Sequence, residues 1–394
     1  MNTRFYSLLL CFPLLLACQS NQNVHVSQVT SPINLYLDSD YISLDPVHIE
    51  TEEEIFQLDN EMIAMVQAKL INNLNAQQKS QILLKHLFND ENVALTYSGN
   101  ANVTASQAYH GKVANCMSLT ILAYALADEA GMNISFQEVE VPEYWVRNGQ
   151  YNLLTGHVNL LVKESDDVNR RIVWGQKNTK IDFDPFVAKK RFPSHEITKK
   201  TLLAMFYNNK GAEALVEKNY PLAYQYLKQA TLTDNNFSSA WGNLGILYKF
   251  SGQLDMAEKA YDYAISLDRD NLTSLGNLAL LLNKQDRRSE ALPIEEYIHK
   301  VRVKNPYYHA LLGNEAFFNK SYQQSIKHYK RAIELDDEQH EFFLALAKIY
   351  YMQGKLVSSR RAMKQALALS KTKDTTKLYI AKLNFLKVQE TAHN

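Results

Sequence analysis

The sequence predicts an α+β unit over about residues 50–200, followed by an all-α superhelix of paired helices. Two observations carry this prediction. Between residues 50 and 130 apolar residues recur at helical spacing, and from there to Phe183 they recur at strand spacing; helices followed by strands favour an α+β unit. From about Ala204 onward the chain is self-similar at a step of 34 residues, the mark of a helical repeat array. A third observation concerns chemistry: beyond residue 18 the chain holds one cysteine, Cys116, and a histidine and an aspartate follow it on segments of strand character.

Met1-Asn2-Thr3-Arg4 carries one positive charge and leads into an apolar run from Phe5 to Leu16 that ends at Ala17-Cys18. This layout predicts a signal peptide over residues 1–17. Cysteine at the cut, after small and apolar residues, resembles a bacterial lipobox. The resemblance implies cleavage before Cys18 and acylation of its sulfur. The mature protein would then be held on a membrane by acyl chains, at roughly 0.8 kcal/mol per buried methylene. An uncleaved anchor is the alternative. Gln19, where aspartate would signal retention, implies the outer membrane, with the body facing the periplasm. No other stretch approaches the roughly 18 consecutive apolar residues of a spanning helix. Residues 18–49 are polar, hold Ser31-Pro32 and Asp45-Pro46, show no sustained period and are expected to form a tether.

The first unit then begins. Thr51 with Glu54 is a capping-box pattern, and Ile55, Leu58, Met62, Met65, Val66 and Leu70 fit one helix over 52–73. A second helical run covers Ile82 to Phe88, and Tyr97-Ser98-Gly99-Asn100 reads as a loop. Leu119, Ile121, Leu122, Ala125 and Leu126 mark a buried helix that opens near Cys116 and closes at Gly131. Strand signals follow at Ile134–Val141, His157–Val162, Arg171–Trp174 and Lys180–Phe183. The cysteine helix is expected to pack on an antiparallel sheet.

A cysteine at a helix N-terminus beside an imidazolium has its pKa lowered from about 8.5 to roughly 3.5–7.5, which makes the thiolate nucleophile available at neutral pH. His157 could take the thiol proton and return it to a leaving amine, and an aspartate on the next strand could orient the ring. Backbone amides at and just after Cys116 could stabilise a tetrahedral oxyanion. Asp182 and Asp184 compete for the orienting role; Asp182 is favoured because Ile181 and Phe183 would be buried on the opposite face, whereas Asp184 precedes Pro185. The alternatives are a small core cysteine and a structural, hydrogen-bonded histidine. His110 is expected to be an exposed loop residue, with a place in the cleft as the alternative. The aromatic segment Pro142–Thr155 is long enough to cover a cleft or to pack on the sheet. There is no Cys-x-x-Cys, no His-Glu-x-x-His and no glycine-rich phosphate loop, so neither metal, cofactor nor nucleotide is expected.

Asn115-Cys116-Met117-Ser118-Leu119, Gly156-His157-Val158-Asn159-Leu160 and Ile181-Asp182-Phe183 together resemble the transglutaminase-like superfamily, in particular its bacterial cysteine-peptidase-like members. The resemblance covers about residues 50–195. It implies a papain-like α+β core and acyl-transfer chemistry, with Cys116 as nucleophile, His157 as base and Asp182 as the orienting residue. Ala114 departs from it, since many such domains carry glycine before the Asn-Cys pair.

The C-terminal half repeats without insertions. In the block beginning at Ser238, Trp241, Leu244, Gly245, Tyr248, Ala257, Tyr261 and Ala264 fall in register with the tetratricopeptide (TPR) pattern, and stepping by 34 gives five repeats starting near Ala204, Ser238, Leu272, Pro306 and His340, over 204–373. Small residues let paired helices approach, and large ones fill the space between them. Lys210, Glu295 and Pro293 depart from the pattern. Residues 374–394 are expected to form a solvating end helix. Forty-two basic and 42 acidic side chains leave no net charge and no bulk electrostatic case for nucleic acid. Charge is nonetheless uneven: Asp38 to Glu61 holds nine acidic residues and no Lys or Arg. The expected protein is a membrane-anchored cysteine peptidase or acyl-transfer enzyme whose repeats bind a protein or peptide; the alternative is a non-catalytic scaffold.

Overall fold

The computed structural model describes residues 32–42, 47–71, 74–89, 95–99, 101–148, 151–163, 178–183, 192–370 and 373–392. The expected signal peptide, Cys18, the strand at Arg171–Trp174 and Asp184 lie outside them.

A 3-10 turn (Pro32–Leu35) and a short helix α1 (Asp38–Tyr41) come first. Helix α2 (Glu52–Phe56) opens on the Thr51 capping box: the Glu54 amide donates to Thr51 Oγ1 at 3.3 Å and the Thr51 amide to Glu54 Oε2 at 2.7 Å. The single helix expected over 52–73 is interrupted. Gln57 turns extended, and Asp59 accepts from the Met62 amide at 3.0 Å to cap a new helix, α3 (Asn60–Lys69). Ile55, before the break, and Met62, after it, are both buried in one core. Helix α4 (Ala76–Asn89) follows, then strand β1 (Thr96–Tyr97), helix α5 (Ala105–Gly111) and strand β2 (Val113–Ala114), which pairs in parallel with β1. Helix α5 has no counterpart among the expected elements, although Thr104 and Gln107 form a complete capping box. Helix α6 (Cys116–Glu129) ends where Gly131, at φ +65°, donates to Asp128 O and Met132 to Ala127 O. Only glycine reaches that conformation without strain.

Among the described residues, four strands form one antiparallel sheet in the order β5-β4-β3-β6: β3 (Asn133–Asn148), β4 (Tyr151–Lys163), β5 (Thr179–Ile181) and β6 (Ser194–Ile197). Phe136 faces Leu160 across the ladder, Leu160 faces Ile181, and all three join the core with α6; Tyr124 of α6 stacks on Phe136 at 4.4 Å. A bulge between Val139 and Tyr144 bends β3, and beyond it the β3–β4 hairpin runs on as an arm to the Asn148–Tyr151 pair.

Eleven helices then follow among the described residues: α7 (Lys199–Val216), α8 (Tyr220–Thr233), α9 (Ser238–Phe250), α10 (Leu254–Leu267), α11 (Leu272–Lys284), α12 (Arg288–Arg302), α13 (Pro306–Phe318), α14 (Tyr322–Leu335), α15 (His340–Met352), α16 (Leu356–Leu369) and α17 (Lys373–Ala392). The first ten pair as five hairpins, and α9, α11, α13 and α15 start 34 residues apart. Helix α12 continues through Pro293. Helix α7 belongs to both halves: Leu202, Leu203 and Phe206 lie in the core that contains α6 and the sheet, whereas Ala214 and Leu215 lie in the core of the repeats.

The expected tether needs correction at residues 32–42, which dock on the repeats. Leu35 is fully buried and accepts a hydrogen bond from Tyr248. Tyr41 stacks on Tyr224 and Tyr36 on Trp241, and Asp38 accepts from Tyr224 Oη at 2.6 Å and from Lys228 at 2.7 Å. The segment shows no period because its apolar residues fill a groove formed by other helices. The end helix also differs from expectation. Tyr379, Leu383 and Leu386 of α17 face inward, and its outer side mixes the exposed polar residues Lys377, Lys382, Asn384 and Lys387 with Leu378, Phe385 and Val388, which are half or more exposed.

Close approach within the repeats rests on glycine at selected positions. A Cβ on Gly245 would stand 2.5 Å from the buried ring of Tyr261, whereas one on Gly276 meets only Ile298 Cδ1, at 3.8 Å. Overpacking costs about 1–3 kcal/mol, and Ala is better than Gly in a helix by roughly 1 kcal/mol. Gly245→Ala is therefore expected to lower, and Gly276→Ala to raise, the urea midpoint of unfolding.

Candidate functional site

Cys116 is the first residue of α6, and the local sequence explains why. The Asn115 side chain accepts from the Ser118 amide at 2.8 Å and caps the helix, while its backbone amide donates to Ala101 O at 3.0 Å. Ser118 Oγ donates to Ala101 O at 3.1 Å and accepts from the Val103 amide at 2.8 Å, tying the preceding loop to the first turn. Thr120 Oγ1 reaches Cys116 O at 2.8 Å and Val158 O at 3.3 Å, which joins the helix start to the strand that carries His157. Ala114 is a buried residue of β2 with no need of a positive φ, so alanine fits where the resemblance leads one to expect glycine.

The three residues singled out from the sequence come together. His157 Nε2 lies 2.8 Å from Asp182 Oδ1, with both side chains almost fully buried, at 4% and 3% exposure. That bond occupies Nε2, and Cys116 is the ring's other side-chain hydrogen-bond partner. Cys116 is half-buried, hence open to a reagent on one side. The second Asp182 oxygen accepts from Asn159 Nδ2 at 2.9 Å. Asn159 is a site residue to which the sequence reading assigned no role, yet its signal was present: it lies two residues after His157, on the same face of β4, while Val158 and Leu160 point into the core. Asp184, the competing aspartate, lies outside the described residues.

Burial by itself pushes the His157 pKa down, because it disfavours the imidazolium. Hydrogen bonding of the ring to Asp182 and to Cys116, with the coulombic effect of both, outweighs it, and the ring is pushed up to about 9.

Two further expectations are revised. His110 sits in the last turn of α5, not in a loop, and its Nε2 bonds Asp59 Oδ2. Among the described side chains of the aromatic segment, Tyr144 lies against Tyr307 and Trp145 against Tyr308 and Arg302, so these rings pack on the repeats and not on the sheet. Helix α7 closes in from the repeat side, with Asn209 Nδ2 donating to Met117 Sδ at 3.7 Å, next to Cys116.

With the geometry described, likeness to known proteins can be placed. A tetratricopeptide repeat family model matches residues 238–271, and a TPR repeat model matches 313–354. These two stretches of the array are thus tetratricopeptide repeats. Protein O-mannosyl-transferase TMTC1 from Homo sapiens is 26% identical over 143 residues, 34% of this chain and 16% of that protein, and the Mus musculus protein is 27% identical over 143 residues, 34% and 15% respectively. The chain thus spans about a sixth of the length of these curated relatives. A structure of Pseudomonas aeruginosa pilF covers 50% of this chain and all of its own, at 17% identity and a TM-score of 0.29. A thermophilic TPR protein from Thermus thermophilus covers 46% of this chain and 98% of its own, at 18% identity and a TM-score of 0.30.

The raised His157 pKa has a definite sign for stability. Its folded value, about 9, lies above the free value of 6.5, so the contribution is fully present below pH 6.5 and is lost as pH rises through 9. The difference in unfolding free energy between wild type and His157→Gln is expected to be larger at pH 6 than at pH 10, by on the order of 3 kcal/mol, as measured by urea denaturation.

Proposed function

We propose that this protein is a cysteine-dependent peptidase, amidase or acyltransferase with a papain-like, transglutaminase-like core, and that its repeats hold the protein or peptide it acts on. The observation that carries the reading is the His157 ring held between a buried aspartate and the thiol at the start of α6. In the proposed reaction the Cys116 sulfur attacks an amide carbonyl carbon, and the carbonyl π pair moves onto oxygen. The amides of Cys116 and Met117 open α6, so no carbonyl of the helix itself accepts from them, and they are suited to that oxyanion. His157 gives its proton to the leaving nitrogen as the C–N bond breaks, leaving a thioester. Water or a second amine attacks the thioester carbonyl and gives its proton to His157; the C–S bond breaks with its electron pair on sulfur, and return of that proton from His157 restores the thiol. Asp182, itself held by Asn159, keeps the ring in the required tautomer and orientation.

Cys18 is the proposed site of lipid attachment, which would place the protein on the bacterial outer membrane, facing the periplasm. If so, Cys18→Ser should move the protein from the membrane fraction to the soluble fraction after cell lysis; continued membrane recovery would reject the anchor.

A second reading, a non-catalytic scaffold, is supported by the tetratricopeptide repeats, which need no enzyme to recruit a partner. Iodoacetamide labelling, followed on the Cys116 peptide by mass spectrometry, separates the two. For an enzyme, labelling at pH 6 should be at least about tenfold faster in wild type than in His157→Ala. Slow and equal rates would leave the scaffold.

A further inference from the structure

We propose that residues 303–305 are a hinge that divides the repeats into two bodies, and that the β3–β4 arm is a latch across it which couples the hinge to the strand carrying His157. Hinge and latch follow from packing and hold for an enzyme and a scaffold alike.

The apolar core of the repeats is not continuous. One cluster of buried side chains runs through the first three repeats and ends on α12 with Ala291, Ile294 and Ile298. A second holds side chains of α14, α15, α16 and α17, and Tyr307, Ala310 and Phe317 of α13 pack on this one. Among the described residues no side chain belongs to both clusters. At other junctions a core crosses from one repeat to the next: Ile265 of α10 lies in one cluster with Leu272 and Leu275 of α11, and Tyr329 and Ala332 of α14 lie in one with Phe342 of α15. At 303–305 the flanking helices α12 and α13 scarcely touch. Val301 shows the difference. It stands 34 residues after Leu267, which packs on the first cluster, yet it is 46% exposed and lines a cavity of about 410 Å³ together with Glu143 and Arg302. Departures from the repeat pattern gather here as well: Pro293 and Glu295 in α12, and His309 in α13 where α9, α11 and α15 carry Trp241, Leu275 and Phe343. A stacked array is stabilised interface by interface, so it gives first where an interface is thinnest.

The arm straddles this joint. On one side, Arg302 at the end of α12 makes two 2.7 Å bonds to the Glu143 carboxylate and lies 5.0 Å from the Trp145 ring, and Asn305 Nδ2 donates to Glu143 O at 2.7 Å. On the other side, Tyr144 lies against Tyr307 and Trp145 against Tyr308, both on α13. A two-bonded arginine–carboxylate pair is directional, which suits it to hold one arrangement of the two bodies. A joint of a few residues can absorb the rotation between them. At its other end the arm is rooted in the site. Val139 pairs with His157 and Tyr144 with Thr155, with the bulge between the two pairs. Val139 is held on its other edge by Ser194 of β6, so a displacement of the arm falls on the ladder at Thr155, Gly156 and His157.

The test uses the full chain, with spin labels carried on p-acetylphenylalanine at exposed positions so that the native cysteines stay. One pair spans the hinge, in place of Leu232 and Ile380; a control pair, in place of Leu232 and Leu280, lies within the first body. In Glu143→Gln the distance distribution across the hinge, read by double electron–electron resonance, is expected to broaden at least about twofold over wild type, with the control pair unchanged. Hydrogen exchange of the peptide covering residues 153–158 should rise about tenfold in the same variant, and exchange over residues 239–250 should stay as in wild type. Arg302→Gln removes the same ion pair from the other side and should reproduce both effects. Glu196→Gln, which breaks the Lys163–Glu196 pair on the same sheet, should produce neither. Equal widths in wild type, Glu143→Gln and Arg302→Gln would overturn the latch. Broadening across the hinge with residues 153–158 unchanged would overturn the coupling to His157. Equal broadening of both label pairs, or equal gains in exchange in both peptides, would mean general loosening and would overturn the hinge.

Discussion

Asp182 is a carboxylate buried almost completely, and an ionised group in that position costs several kcal/mol unless its oxygens are paired. One oxygen is met by His157 and the other by Asn159, both on β4. This works only if β4 and β5 keep the register that sets Leu160 opposite Ile181, because a slip of one residue would turn His157 and Asn159 toward the core and Val158 and Leu160 toward the aspartate. Site and sheet register therefore depend on the same bonds. Thr120 extends the dependence to α6, since its hydroxyl spans the carbonyls of Cys116 and Val158 and sets the thiol beside the ring.

Among the described residues the two halves are joined at several places. Helix α7 contributes apolar side chains to both cores. Residues 32–42 precede the first half in sequence yet pack on α8, α9 and the helices around them, through stacked tyrosines and the Asp38–Lys228 pair. The hairpin arm reaches Arg302 and Asn305. Much of the acidic N-terminal charge is used within the chain: Asp38, Glu50, Glu52 and Asp59 each meet a cation or a histidine. Such attachments hold the repeats at a set distance from Cys116, a requirement if what the repeats grip is what the thiol attacks.

Much of the fold was legible because its signals are local. The capping box at Thr51, the glycine after α6 and the small and large residues of each repeat act within a few residues or between neighbouring helices. What was not legible follows from competition or distance. Asp59 competes with helix continuation and wins, giving two short helices where periodicity suggests one. Helix α5 carries a cap but too few apolar residues to show a period. Leu35, Tyr36 and Tyr41 lack a pattern of their own because partners near residues 224–248 decide their burial. In the site, residue types and order marked Cys116, His157 and Asp182, but the grip of Asn159 on Asp182 depends on strand pairing.

By itself the sequence determined the repeat period, the helix that presents Cys116 at its first position, and the set of residues able to form a thiol–imidazole–carboxylate chain. These depend on hydrogen bonds and apolar contacts between residues close in the chain. The tertiary structure alone decided that His157 lies between Asp182 and Cys116, that Asn159 also holds Asp182, and that the segment before the first unit binds the repeats. Each of these is a contact between residues tens to hundreds of positions apart, and burial there, which sets the cost of every unpaired charge, exists only once the chain has folded.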